Sequence, residues 1–217
     1  MARIKIGNVF PPLAWLLERC APAGFGLGGS ARHFDINDID NIKQSGWYYS
    51  SNPTGYDVSG FPVYFVQMKV DSWWEVEGVN MVVQTLYYDV CQIRRICDAN
   101  GWRPWEWVNP PAKVGQEYRT TERWSSKPVY TKLIDCEELP TSGRKAVYIG
   151  DVGDIIRYAG HCNYRSLPYR DPNTNGTIDV AAEGSYVIFT VNVNEETQSQ
   201  LGTAYMQIWY TKPEGGA

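Results

Sequence analysis

Thr203-Ala204-Tyr205-Met206-Gln207-Ile208-Trp209-Tyr210-Thr211-Lys212 decides the fold class. Met206, Ile208 and Tyr210 alternate with Gln207, Trp209 and Thr211, the two-residue period of a strand with one buried face. Trp209 breaks an otherwise polar outer face, and its exposure would mark an interface. Working outward, residues 128–134, 145–150, 154–159, 177–181 and 185–192 read as further short strands, recurring at the spacing of a β-sandwich.

The N-terminal half carries the same signals. Residues 47–49, 63–70, 79–88, 92–97 and 105–108 are β-branched or aromatic runs. Asn52-Pro53, Ser59-Gly60, Glu77-Gly78 and Asn100-Gly101 punctuate them as turns. Before them, Asn37 or Asp38 can cap a short helical stretch through Ile39 and Ile42, with Ser45-Gly46 as its stop. Between the halves, Asn109-Pro110-Pro111-Ala112 cannot sustain a ladder, because neither proline donates a backbone hydrogen bond. The expected organisation is a lead-in at 1–34, a small antiparallel domain at 35–111 and a β-sandwich, jelly-roll-like, at 112–217.

Composition agrees with an all-β chain. Of 217 residues 43% are hydrophobic, enough to bury a core, and 14% are aromatic, with 9 Trp and 15 Tyr. Charged residues make up only 20%, and the net charge is -4. That balance gives no electrostatic footprint for phosphate backbones or anionic lipid, so nucleic acid is not an expected partner.

The five cysteines, Cys20, Cys91, Cys97, Cys136 and Cys162, are odd in number and form no C-x-x-C pair. Buried thiols of a chain folded in a bacterial cytosol are expected, with a Cys91–Cys97 bridge left open. The start, Met1-Ala2-Arg3-Ile4-Lys5-Ile6, lacks an apolar signal core, and residues 13–17 are too short to span a bilayer. The apolar turn around Leu13, Trp15, Leu16 and Leu17 is read as a helical lead-in buried by neighbouring copies of the chain.

Two stretches carry a family resemblance. Asp35-Ile36-Asn37-Asp38-Ile39, then Ser45-Gly46-Trp47-Tyr48, then Gly101-Trp102-Arg103-Pro104-Trp105-Glu106-Trp107-Val108 together resemble the pyocin knob type domain of phage and prophage tail fibres. Where Arg103 stands, that family usually has Ser. Glu117-Tyr118-Arg119-Thr120-Thr121-Glu122-Arg123-Trp124-Ser125-Ser126-Lys127-Pro128-Val129-Tyr130-Thr131-Lys132 resembles the terminal domain of tail fibres from phages of Gram-positive gut bacteria. The resemblance implies a virion component, made in the bacterial cytoplasm, that forms homotrimers, joins other tail proteins and binds a bacterial surface glycan without catalysis. The long shaft of such fibres, with its Gly-X-Y tract, is not evident here.

Chemistry-bearing patterns are few. Gly24-Phe25-Gly26-Leu27-Gly28-Gly29 has G-x-G-x-x-G spacing but lacks the preceding strand and following helix of a dinucleotide site, so it reads as a loop. His33 and His161 have no zinc-spaced partners. No G-x-S-x-G elbow or H-E-x-x-H helix occurs, so no cofactor and no enzyme activity is expected. The alternative reading, a small polysaccharide depolymerase, would need two flanking carboxylates such as Glu117 with Glu122 or Asp151 with Asp154. A purely structural virion protein is the other alternative.

Binding residues are better supplied. Trp73 and Trp74, beside Asp71, Ser72 and Glu75, can stack on a sugar or pack in a core or interface. Tyr164-Arg165-Ser166-Leu167-Pro168-Tyr169-Arg170 offers Tyr164, Arg165, Tyr169 and Arg170 on a loop, the residue types of binding hot spots. Asp171, Asn173, Asn175 and Asp179 space oxygens as in the first part of a Ca²⁺ loop. Its closing acid is missing, since Ala182 stands there, and an Asn175-Gly176 turn explains the spacing without metal. Trp102, Trp105 and Trp107 are assigned to cross-strand packing rather than to ligand.

Overall fold

The computed structural model describes residues 31–58, 61–73, 81–88, 90–163, 165–194, 197 and 201–213. The helical lead-in, Cys20, the glycine loop, Trp74, Tyr164 and the expected turns at 59–60 and 77–78 lie outside the described residues. The chain divides into two compact units, Met1–Asn109 and Pro110–Ala217. Both are built of β-strands, so the chain is all-β.

In the first unit, β1 (Arg32–His33) leads into a 3₁₀ helix (Ile36–Asn41). There follow β2 (Gly46–Val58), β3 (Phe61–Trp73), β4 (Met81–Tyr88), β5 (Cys91–Asp98), β6 (Gly101–Trp102) and β7 (Glu106–Trp107). The strands pair in sequence order from β1 to β5, and both β6 and β7 then add to β5. All pairings but β1–β2 are antiparallel.

One rung explains the core. Tyr48, Met68, Leu86, Ile93 and Trp107 stand opposite one another across β2, β3, β4, β5 and β7, and each is buried. The two-residue period puts Val66, Val70 and Val82 on that same face, where they exclude water together with Phe34, Ile36 and Ile39. The next rung is polar: Gln84 faces Arg95. Gln84 Nε2 donates to the carbonyls of Ile39 at 2.7 Å and Ile42 at 2.8 Å, satisfying the end of the 3₁₀ helix and holding it against the sheet.

Two local expectations differ from the fold, and one open alternative is closed. The cap of the short helix is Asp35, whose carboxylate accepts from the Asn37 amide, not Asn37 or Asp38 themselves; the helix simply starts two residues sooner. Asn52-Pro53 is no turn. It falls inside β2, where the β2–β3 register shifts between Ser51 and Tyr56, the sort of irregularity that accommodates a residue without an N–H. A Cys91–Cys97 bridge is excluded because both sit on β5, about 20 Å apart at the rise of an extended strand, and both are thiols.

The second unit is a two-sheet sandwich. Its elements are β8 (Glu117–Trp124), β9 (Lys127–Glu138), β10 (Ser142–Tyr148), β11 (Ile155–Cys162), β12 (Arg165–Leu167), β13 (Tyr169–Arg170), β14 (Thr177–Glu183), β15 (Tyr186–Asn192) and β16 (Thr203–Tyr210). One sheet runs β8-β9-β16-β11-β12 and the other β10-β15-β14-β13. Ile134, Cys136, Met206, Ile208 and Tyr210 from the first meet Ile178, Val187, Phe189 and Val191 from the second in one buried cluster. Tyr158 joins the sheets with a polar tip, its hydroxyl donating to the Val180 carbonyl at 2.8 Å.

β16 thus buries the residues its alternation marks. Trp209, on the other face, is half-buried, with the Arg157 guanidinium 4.5 Å from its ring and Arg157 paired to Glu122 at 2.6 Å. At the centre of the sandwich Gly160 stands opposite Met206 on β16 and Leu167 on β12, leaving room for the methionine side chain.

Candidate binding site

The pocket in the second unit forms where β12 and β13 lead into the 171–176 turn. Arg165 opens β12, opposite Cys162 of β11. A cis Leu167–Pro168 bond separates it from Tyr169, which pairs with Ile178 of β14. The Arg165 guanidinium lies 4.6 Å from the Tyr169 ring centroid, a cation–π stack that holds both side chains in place.

The turn then closes on itself through its first residue. The Asp171 amide donates to the Gly176 carbonyl at 2.7 Å, and the Asn175 amide donates to the Asp171 carbonyl at 3.1 Å. Asp171 Oδ1 accepts from the amides of Asn173 at 2.8 Å and Thr174 at 3.3 Å, and Oδ2 accepts the Thr197 hydroxyl at 3.1 Å. Asn175 takes φ 55°, a left-handed conformation that Asn tolerates. The Asp171 carboxyl is held below its ordinary value, first by the Asn173 amide, so it stays ionised and organises the loop from within.

Arg165, Tyr169, Asp171, Pro172, Asn173, Thr174 and Thr197 therefore enclose a pocket of about 280 Å³. Its inner wall is fixed by Asp171, which is buried, while Asn173 and Thr174 are exposed at the rim. An aromatic ring, a guanidinium, an amide and hydroxyls in one small concavity suit a ligand rich in hydroxyl groups.

The structure gathers Arg165, Tyr169, Asp171 and Asn173 of the residues singled out from sequence. Arg170 is exposed on β13 opposite Thr177 and does not line the pocket. Asn175 and Asp179 do not line it either; Asp179 sits exposed on β14 opposite Thr190. Trp73 ends β3 in the first unit, 53% exposed. Thr174 and Thr197 are the residues that sequence reasoning missed. Thr197 lies 26 positions from its partner Asp171, and no local pattern couples them.

As to metal, both Asp171 oxygens are already engaged by amides and a hydroxyl. Among the described residues no group of three or more His, Cys, Asp or Glu side chains could hold an ion. Three of the four carboxylates considered for glycoside cleavage have partners: Glu117 accepts the Tyr210 hydroxyl and pairs with Lys212 at 2.6 Å, Glu122 pairs with Arg157, and Asp151 accepts the Tyr148 hydroxyl at 3.1 Å. Among the described residues no helix is long and apolar enough to cross a membrane.

No protein-family model and no curated protein matches the chain. Among solved structures it is similar to an N-truncated R2-type pyocin tail fibre, with 8% identity and a TM-score of 0.25 over 83% of this chain and 94% of that one. It is also similar to the R2 pyocin fibre of P. aeruginosa comprising C-terminal residues 323–691, with 8% identity and a TM-score of 0.24 over 85% of this chain and 69% of that one.

Proposed function

We propose that this chain is a non-catalytic receptor-binding module of a phage or prophage tail fibre, and that its second unit recognises a bacterial surface carbohydrate. The observation that carries the carbohydrate reading is the pocket of Arg165, Tyr169, Asn173, Thr174 and Thr197, held open by the internally bonded Asp171. The fibre reading is supported by the sequence motifs at 35–48, 101–108 and 117–132 and by two consecutive β units.

A shallow pocket of this size grips one sugar ring weakly, so several copies held together would supply the strength. A homotrimer attached to other tail proteins provides that multiplicity. The test is a glycan array of bacterial surface polysaccharides probed with the wild-type chain, Asn173→Ala and Tyr169→Ala, alongside light scattering for solution mass. Binding by wild type that both variants lose, in a particle of three chains, is the expected result. Equal binding by all three proteins removes the pocket from the account, and a monomer removes the fibre reading.

A further inference from the structure

The first unit contains a second hollow, of about 300 Å³, between the end of β1, the start of the 3₁₀ helix and the middle of β2. Its polar groups are His33, Asp35, Asn37, Ser50 and Ser51, and Phe34 and Ile36 supply an apolar wall. The Phe34 amide donates to the Tyr49 carbonyl at 3.0 Å, which extends the β1–β2 pairing and fixes that wall. The His33 ring stands edge-on to Tyr49, with centroids 5.2 Å apart.

Ser50 is the telling residue. It lies on the core-facing side of β2, opposite Val66, and is 2% exposed. Among the described residues its hydroxyl has no hydrogen-bond partner, and it lines the hollow. That hydroxyl is not sealed in the core: it opens on the hollow, where a ligand can reach it. Asp35 repeats the pattern. Its Oδ1 accepts from Asn37 N and Nδ2, both at 2.9 Å, while Oδ2 accepts from no described residue. With Nδ2 engaged on Asp35, the carbonyl oxygen of Asn37 is left as an acceptor.

We infer that the first unit carries its own binding pocket for a single neutral sugar ring or a polyol of that size, held by Asp35, Asn37 and Ser50. The chemistry follows from the donor set. Asp35 Oδ2 and the Asn37 carbonyl take hydroxyl hydrogens, and the Ser50 hydroxyl gives or takes. Among the described residues no Lys or Arg lines the hollow, which disfavours an anion. The volume sits at the low end of ligand pockets, enough for one ring. The ligand class rests on the carbohydrate reading above; the position of the pocket does not. With a site in each unit, a repeating polysaccharide would be held at two points per chain.

Saturation-transfer NMR on the full chain with glucose, galactose, rhamnose and N-acetylglucosamine tests this, using Ser50→Ala, Asp35→Asn and Asn173→Ala. Asp35→Asn keeps one oxygen for the Asn37 amide and replaces the ligand-facing acceptor Oδ2 with an amide donor. The expected result is a responding sugar whose affinity falls about tenfold in Ser50→Ala and in Asp35→Asn, the loss of a good hydrogen bond, and is unchanged in Asn173→Ala. Ser50→Ala should melt at the wild-type temperature or above it. Binding lost only in Asn173→Ala overturns this inference and leaves the second-unit site standing. A fall in melting temperature with Ser50→Ala, or no response to any of the four sugars, overturns it as well.

Discussion

The guanidinium of Arg95 lies 4.1 Å from the ring centroid of Trp102, and Trp105 takes up a place 4.3 Å from the same group. Both contacts join the two tryptophans to the central sheet of the first unit through a residue only 7% exposed. The edge of the group is engaged too: Nε donates to Gln84 Oε1 at 2.9 Å, and an amino group meets Asp40 Oδ1 at 2.5 Å. Through Gln84 the 3₁₀ helix hangs on the same network.

Arg95→Lys should therefore cost about 2–4 kcal/mol, because an ammonium cannot stack between two indoles and leaves the buried Gln84 oxygen without its donor. Asp40→Ala should cost less than about 1 kcal/mol, since Asp40 is mostly exposed and its ion pair is screened by water. Urea titration followed by tryptophan fluorescence measures both. Equal losses would show that the ion pair, not the stack and the Gln84 bond, holds the network.

A second prediction concerns Gly160. A Cβ there would fall on Met206 Sδ and the Tyr205 carbonyl oxygen, and the carbonyl belongs to the paired strand and cannot move aside. Gly160→Ala should cost about 3 kcal/mol or prevent folding. Gly202→Ala is the control: its nearest neighbour is Asn163 Cβ at 3.9 Å, an ordinary contact, so it should be neutral. Thermal melts that treat the two alike would remove the packing argument.

These residues also mark what sequence could and could not reveal. β16 was legible because its alternation is apolar and complete: Met206, Ile208 and Tyr210 are all buried. β8 was not, since its buried positions are Tyr118 and Thr120 amid charged neighbours, and Thr120 earns its place through a hydroxyl bond to the Val129 carbonyl at 2.9 Å. The Arg165–Asn173 wall is one short segment, and its residue types were readable. Thr197 with Asp171, and Arg95 with Asp40, meet only once distant segments of the chain come together. The pocket at Ser50 was invisible for another reason: a serine in a strand looks like solvent until its face is known.

The turn at Asp171 gives an acid-side prediction. Its carboxyl is held below the ordinary value of 3.8, chiefly by the Asn173 amide, so its contribution is present above that value and is lost as pH falls through the lower, folded value. Asp171→Asn keeps an acceptor oxygen for the loop amides and should preserve the turn with weaker acid sensitivity. Asp171→Ala should open it. Amide hydrogen exchange at Asn173 and Thr174 is the readout; unchanged protection in the alanine variant would show that the backbone bonds alone define the pocket.

At the alkaline end Cys136 governs. Burial pushes its thiol up to about 12 from 9.0, with the Asp135 carboxylate adding repulsion against a thiolate. The folded state therefore keeps a proton that the unfolded chain releases, so the stability it contributes is whole below pH 9.0 and is lost as pH rises toward 12. Three units correspond to a loss on the order of 4 kcal/mol at the top of that window. Tyr210 acts in the same direction above 10.0, because burial and the hydrogen bond to Glu117 both favour its neutral phenol. The two separate by pH. Cys136→Ala should flatten the fall in stability between pH 9 and 10 and leave a slope above 10, which Tyr210→Phe should then reduce. Cys162 is a second buried thiol raised from 9.0, so denaturant midpoints across that range are compared in a Cys162→Ala background: a slope between pH 9 and 10 that survives Cys136→Ala there would mean the Cys136 thiol is not the group being titrated.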